Sequence, residues 1–174
     1  MNEHKAIPAP RWAVRAAWAS AISATAGFIP IHAVWAAGIP LWADPAKFDD
    51  WYAQGGGPYL FLLSGLAVLA GILALSMIRP WGQVFPRRAP LLAGRKVPRR
   101  TLSATGFTVA AFLLGYTVWA AWQSVVTFGD EGIFSEWIVV YGIPHFLVWG
   151  IGLLMATWSY RARTARPRPA LAAV

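Results

Sequence analysis

The chain has 174 residues, of which 57% are hydrophobic and 13% carry a formal charge, against about 25% in a typical soluble domain. With 11 Trp and a mean hydropathy of +0.49, this composition excludes an ordinary soluble domain and indicates an integral membrane protein. The absence of Cys excludes disulfides, thiolate metal ligation and thiol catalysis. The net charge of +8 does not indicate nucleic-acid binding, because the basic residues flank apolar segments instead of covering one polar face.

Four apolar segments follow a short N-terminal tail that contains Pro8 and Pro10. They cover residues 16–38, 58–78, 102–124 and 137–160, and none of them contains Asp, Glu, Lys or Arg. Because about 20 apolar residues are needed to cross a bilayer, we predict an all-α bundle of four transmembrane helices that forms one integral membrane domain over residues 1–174. The first segment also resembles a signal peptide with a cleavage pattern at residues 24–26, and its removal would leave three spans.

The loop between the second and third segments, residues 79–101, is strongly basic. No acidic residue offsets its cations, which are Arg79, Arg87, Arg88, Arg95, Lys96, Arg99 and Arg100. Together with the N-terminal tail and a basic C-terminal tail, residues 161–174, this side of the predicted topology holds every Lys and Arg except Lys47. A cation at mid-membrane costs about 2.5–3.5 kcal/mol, so we predict a multi-pass protein of the plasma (inner) membrane with both termini cytoplasmic.

Apolar residues such as Trp81, Phe85 and Leu92 alternate with the cations of this loop. We therefore predict that the loop lies on a leaflet of anionic lipids, where each cation contributes about 1 kcal/mol. A solvated loop that only sets the topology is the alternative.

The two outer loops, residues 41–57 and 125–136, carry every acidic residue except Glu3. The spacing of these acids does not match an EF-hand or a two-metal site, so we predict a solvated acidic rim and no metal site.

Short matches between the two halves suggest a repeat. Residues 34–37 match residues 118–121, and residues 58–62 resemble residues 144–148. This pattern predicts two helical hairpins related by a pseudo-two-fold axis along the membrane normal, although Ala, Leu and Trp matches arise easily in apolar sequence.

Three polar side chains fall in the outer half of the predicted bundle. His32, Tyr116 and His145 lie roughly 9–12 Å from the outer ends of their helices, at 1.5 Å per residue. They are interpreted first as interhelical hydrogen-bond partners, each worth about 0.6 kcal/mol. A second interpretation is a pocket for a small ligand or lipid, lined also by Trp35, Trp119 and Trp149. A third is haem ligation by His32 and His145.

No sequence motif indicates a reaction. The chain has no nucleophile elbow, Walker loop, zincin motif or dinucleotide fingerprint, and we predict no catalytic residues, no cofactor and no enzymatic activity. The lack of charged residues within the spans also argues against an ion-coupled transporter or proton pump. The leading hypothesis is an accessory component that packs against another membrane protein, a second copy of itself or lipid. A lipid or small-molecule transporter or binding bundle is the alternative.

The chain contains three short segments that are similar to those of a known group of proteins: Ile31-His32-Ala33-Val34-Trp35, Arg79-Pro80-Trp81-Gly82 and Phe85-Pro86-Arg87-Arg88. On these segments and its four-span layout, the chain resembles the small four-helix membrane proteins of high-GC actinobacteria, and its Arg-rich, Lys-poor composition fits such a source. That family has no established activity, so the resemblance implies the four-span layout and no chemistry.

Overall fold

The computed structural model describes residues 6–89, 92–129 and 132–165. Within those ranges the regular elements are helical, and four of the helical units are long and apolar enough to cross a membrane: Arg11–Ala36, Pro45–Ser76, Arg99–Val126 and Val140–Ala165. The predicted all-α bundle of four spans is confirmed, and the protein is a multi-pass membrane protein. The α-helices are α1 (Arg11–Ile22), α2 (Ile29–Ala36), α3 (Pro45–Trp51), α4 (Gly57–Ser76), α5 (Arg99–Val126) and α6 (Trp137–Ala165).

The first span is interrupted by a wide helical turn. It begins at Arg11, directly after Pro10, whose extended backbone starts the helix. Residues Ser23–Gly27 then form a π-helical turn between α1 and α2. Pro30 follows in the first turn of α2, where it has no N–H to donate to the preceding turn. A π-turn next to a proline is a common cause of a bend in a helix.

The first acidic loop contains a helix that the sequence analysis did not predict. Residues 41–57 were expected to be a loop, but α3 occupies Pro45–Trp51 and continues through a second π-turn, Tyr52–Gly56, into α4. The side chain of Asp44 accepts a hydrogen bond of 3.0 Å from the backbone N–H of Lys47, and Pro45 lies in the first turn. These are standard signals for the start of a helix. The loop prediction is therefore wrong over this stretch.

The last helix is longer than predicted. α6 continues to Ala165, so Arg161 and Arg163 are helical and do not belong to a tail. The Arg163 guanidinium donates hydrogen bonds to the carbonyl oxygens of Met77 (2.6 Å) and Ile7 (2.7 Å), which anchors this helical turn. The rest of the predicted tail, residues 166–174, lies outside the described residues.

The helices pack in the order α5, α6, α1, α4. α5 packs along α6, α6 along α1, and the first span along α4, whereas α4 and α5 make few contacts with each other. Small residues allow close approach within the bundle. The central core is accordingly rich in alanine, and its buried members are Ala21, Ala24, Ala67, Ala70, Ala74, Ala110, Leu113, Trp149 and Leu153.

The two ends of the bundle differ in charge. At the basic end, Gln83 exchanges two hydrogen bonds with the backbone of Ile7 (2.9 and 2.8 Å), and Arg99 donates to the carbonyl oxygen of Thr164 (2.6 Å). At the acidic end, the backbone N–H of Asp44 donates to the carbonyl oxygen of Ile133 (2.8 Å). Within the described ranges, every Asp and Glu lies at the acidic end.

The segments that suggested a repeat occupy different environments. Trp35 is 5% exposed and packs inside the bundle, whereas Trp119 is 56% exposed on α5. Pro58 lies in the first turn of α4, whereas Pro144 lies inside α6. The paired segments thus differ in exposure and in position within their helices, and the pseudo-two-fold relation between the hairpins stays a prediction.

Candidate functional site

A groove runs along the bundle where α4 and α5 separate. Its volume is about 860 Å³, and its floor is formed by the first span and α6. The lining is predominantly apolar, and its polar members are concentrated on the half nearer the acidic end. The residues that matter for its chemistry are Phe28, His32, Trp35, Tyr59, Tyr116, Tyr141, Gly142, His145, Phe146 and Trp149.

An aromatic cap closes the groove at the acidic end. Phe48 of α3 is fully buried, and Trp51 packs on Phe134 with a ring-centroid distance of 5.7 Å. Trp35 contacts the same Phe134 ring at 4.5 Å. This cap results from the apolar face of α3, because Phe48 and Trp51 are three residues apart and point to the same side of the helix. An occupant of the groove would therefore meet these aromatic rings at the acidic end.

The tautomer of His32 follows from its hydrogen bond. Its Nδ1 lies 2.8 Å from the carbonyl oxygen of Phe28, which can only accept, so Nδ1 carries the proton of the neutral ring. The imidazole also stacks on the Phe28 ring at 3.6 Å between centroids. The lone pair of the neutral ring is consequently on Nε2, and the ring lines the groove.

The same reasoning applies to His145. The Ser23 hydroxyl donates its only proton to the backbone carbonyl oxygen of His145 at 2.8 Å. Its oxygen must then accept in the 3.2 Å contact with Nδ1 of the same residue, which places the proton on Nδ1. The Tyr141 hydroxyl donates to the carbonyl oxygen of Gly27, beside the His145 ring. His145 and Tyr141 thus hold the π-turn of the first span, and Nε2 of His145 carries a lone pair.

Most of the predicted ligand-binding residues meet in this groove. His32, Trp35, Tyr116, His145 and Trp149 line it, whereas Trp119 does not. Trp119 instead packs beside Tyr116 on the exposed side of α5, with ring centroids 5.6 Å apart.

Several groove residues were missed by the sequence analysis. These residues are Phe28, Tyr59, Tyr141 and Phe146. For Phe28, Tyr59 and Phe146, nothing in the sequence separates them from lipid-facing neighbours in the same apolar helices. For Tyr141 a signal was available, because it lies four residues before His145 and therefore on the same helical face.

The buried indole of Trp149 lacks a hydrogen-bond acceptor. In the described part of the chain, its Nε1 and Thr157 Oγ1 are the buried side-chain polar atoms without a partner. The Trp149 ring packs against Phe28 and Phe146, each at 5.7 Å between centroids. This orphan donor is thus enclosed by aromatic rings at the groove floor.

The predicted lipid-contacting cations are exposed at the basic end. Arg79 lies over the Trp18 ring at 5.8 Å, and Arg99 is held by the carbonyl oxygen of Thr164. The remaining side chains of this set also face outward: Arg87, Arg88, Arg95, Lys96 and Arg100. Their contact with anionic lipids remains a prediction.

Over the described ranges, no cluster of three or more His, Cys, Asp or Glu residues has metal-binding geometry. Comparison with family models, curated proteins and solved structures finds no match to this chain. The groove and its two histidines are therefore the observations on which a function can be argued.

Proposed function

We propose that this protein binds a lipophilic small molecule in the groove between α4 and α5, as a binding or carrier protein and not as an enzyme. The observation that carries the proposal is a predominantly apolar groove of about 860 Å³ whose His and Tyr residues lie in one half. Ligand sites of about 300–1,000 Å³ with apolar walls and a few polar groups are typical of small-molecule binding. Because the groove opens laterally between two spans, its ligand enters from the bilayer.

The groove volume of about 860 Å³ lies within the usual range of small-molecule sites, and a lipid-like molecule fits this space. The aromatic rings at the acidic end favour a position of the lipid tail toward the basic end.

The orientation in this proposal follows the charge distribution. The basic end faces the cytoplasmic leaflet of the plasma membrane, where its exposed cations contact anionic headgroups. The histidine half of the groove is then nearer the outer leaflet.

Native mass spectrometry of the full-length protein tests this proposal. Gly142 lines the groove, and a Cβ atom built there meets no atom within 4 Å, so Gly142→Trp fills the groove without a backbone clash. Gly65 has the same open surroundings outside the groove and provides the matched control, Gly65→Trp. We expect a bound lipophilic mass on the wild type and on Gly65→Trp, and a several-fold lower occupancy on Gly142→Trp.

Two results would contradict the proposal. Equal occupancy in all three proteins would show that the bound molecule lies outside the groove. Recovery of the protein without any bound molecule from nanodiscs made with native lipid would show that it has no such ligand. A haem mass would instead assign the two Nε2 atoms as axial ligands, since a ligating His usually donates its other ring N–H, as His32 does. The absorbance spectrum of the purified protein reports that outcome independently.

Association with another membrane protein or a second copy is the second candidate, and α5 favours it. This span has the smallest buried fraction of the four, 17%, and Phe112 and Trp122 are among its exposed side chains. The mass of the protein–detergent particle by light scattering would distinguish a monomer from a dimer. A dimer disrupted by Trp122→Ala would support this candidate.

A further inference from the structure

The two histidines specify the polar group of the groove ligand, provided that the proposed binding function holds. Each neutral ring uses its N–H inside the protein, His32 toward Phe28 and His145 toward Ser23. Each ring therefore has only a hydrogen-bond acceptor, Nε2, left for a ligand. Two such acceptors on different helices contribute to the wall of one groove.

Acceptors of this kind discriminate between head groups. A carbonyl or phosphate oxygen placed against Nε2 would bring two lone pairs together with no proton between them. A hydroxyl group satisfies Nε2 by donation. The hydroxyls of Tyr59 and Tyr116 also line the groove, and each can donate to the oxygen of such a ligand or accept from it.

Charge also limits the head group. Among the residues that the structure describes, no Asp or Glu lines the groove, so a cationic head would be buried there without a counter-ion. The same described lining contains no Lys or Arg, so burial of an anionic head carries a similar cost. The polar head that matches this half of the groove is therefore neutral.

Aromatic rings surround the histidines. Phe28 stacks on His32 at 3.6 Å and lies 5.7 Å from Trp149, while Tyr116 lies 5.1 Å from Phe146. Aromatic walls favour a planar ring through offset-stacked and edge-to-face contacts.

We infer that the groove binds a lipid whose head is a neutral hydroxylated ring, which donates its hydroxyl proton to Nε2 of His32 or His145. The lipid tail extends along the apolar part of the groove, away from the aromatic cap and toward the basic end. No bond is made or broken in this interaction. The chemical class is that of long-chain phenols and ring alcohols.

A matched pair of probes tests this inference on the full-length protein in nanodiscs. Tritiated 4-dodecylphenol has the required O–H group, and its methyl ether differs only by the loss of that donor. We expect the phenol to bind about tenfold more tightly than the ether in a scintillation proximity assay, which corresponds to about 1.4 kcal/mol. In His32→Phe and His145→Phe an aromatic ring is kept while Nε2 is lost, so we expect the phenol to lose several-fold in affinity in the variant that removes its acceptor and the ether to bind as before in both. Unchanged affinity for the phenol in both variants would overturn the inference.

The outcomes separate the two proposals. If neither probe binds specifically, or if Gly142→Trp leaves both affinities unchanged, the binding function in the groove is refuted. If both probes bind equally to the wild type, the groove binds lipophiles but the hydroxyl preference is wrong. Tighter binding of a long-chain quinone or of dodecylammonium than of the phenol would also overturn the inference. The quinone has carbonyl oxygens but no O–H group to donate, and the ammonium head is cationic. Gly65→Trp is the control in each series.

Discussion

Replacing Gly152 with Ala should weaken the contact between α6 and α1. A Cβ atom at this position would lie 2.6 Å from the backbone carbonyl oxygen of Ala16 and 3.0 Å from Cβ of Ser20. Ordinary contact begins at 3.4 Å, so the two helices would have to separate by about 0.8 Å. A backbone carbonyl cannot turn away as the end of a flexible side chain can, and the close packing of the two helices would be lost along this crossing.

The expected magnitude follows from two opposing effects. Overpacking costs about 1–3 kcal/mol, whereas Ala gains about 0.8–1 kcal/mol over Gly in a helix, so we expect a net loss of up to about 2 kcal/mol in the free energy of unfolding, and a loss of about 1–3 kcal/mol relative to a Gly→Ala control that has no clash. Titration of SDS into mixed micelles, followed by near-ultraviolet circular dichroism of the Trp residues, measures this quantity. Gly115 on α5 has nothing within 4 Å of a built Cβ atom, and Gly115→Ala is the control that should be neutral or stabilising. Equal stability of the two variants would refute the close packing of α6 against α1.

Two further variants examine the ends of the bundle with the same unfolding assay. Arg163→Met keeps the apolar stem but removes the charged hydrogen bonds to the backbone of Met77 and Ile7. Each such bond contributes about 1.5–3 kcal/mol. Because the guanidinium is partly exposed, we expect the free energy of unfolding to fall by a smaller sum, about 2–4 kcal/mol. Stability within about 0.5 kcal/mol of the wild type would show that these bonds do not anchor α6. Gly55 has φ +104°, which an L-residue rarely adopts, so Gly55→Ala should destabilise by about 1–3 kcal/mol although no atom lies near its Cβ position. An unchanged midpoint for this variant would mean that α3 does not depend on the bend at Gly55.

The charge pattern and the lengths of the apolar segments were sufficient to predict the four spans, because crossing a bilayer constrains both strongly. The face that each helix turns inward was harder to predict. Trp35 and Trp119 lie in matching sequence segments, yet one is buried and the other is exposed. A helix that is hydrophobic on all sides has no amphipathic pattern, so its sequence does not indicate which side packs against the other helices and which side faces lipid.

The aromatic cap and the π-turn of the first span differ in how far local sequence specifies them. The cap had a local signal, since Asp44-Pro45 is a typical helix start and Phe48 and Trp51 follow at helical spacing. The acidic residues and glycines of the same stretch are typical of a loop and oppose that signal. The π-turn at Ser23–Gly27 depends instead on contacts distant in sequence, namely the hydrogen bonds from Ser23 and Tyr141 that join the first span to α6. Local sequence alone does not contain that information.

For the candidate site, the sequence located the histidines on separate helices at similar depth but could not assign their tautomers. That assignment required the acceptor of each Nδ1 proton, which is the Phe28 carbonyl for His32 and the Ser23 hydroxyl for His145. The separation of α4 from α5 was also not predictable, because both helices are apolar on all sides and their sequences do not specify which neighbour each one packs against. The groove is therefore a property of the tertiary structure.

Photo-crosslinking tests the central claim, a specific lipophilic ligand in the groove, most directly. Benzoylphenylalanine is introduced in place of Gly142, inside the groove, or in place of Gly65, outside it, and the full-length protein is irradiated in its native membrane before mass analysis. The groove position should yield an adduct of one dominant mass, while the position outside should yield the range of bulk phospholipids. The same range of phospholipid masses at both positions, or a crosslink from the groove to a protein, would contradict the account.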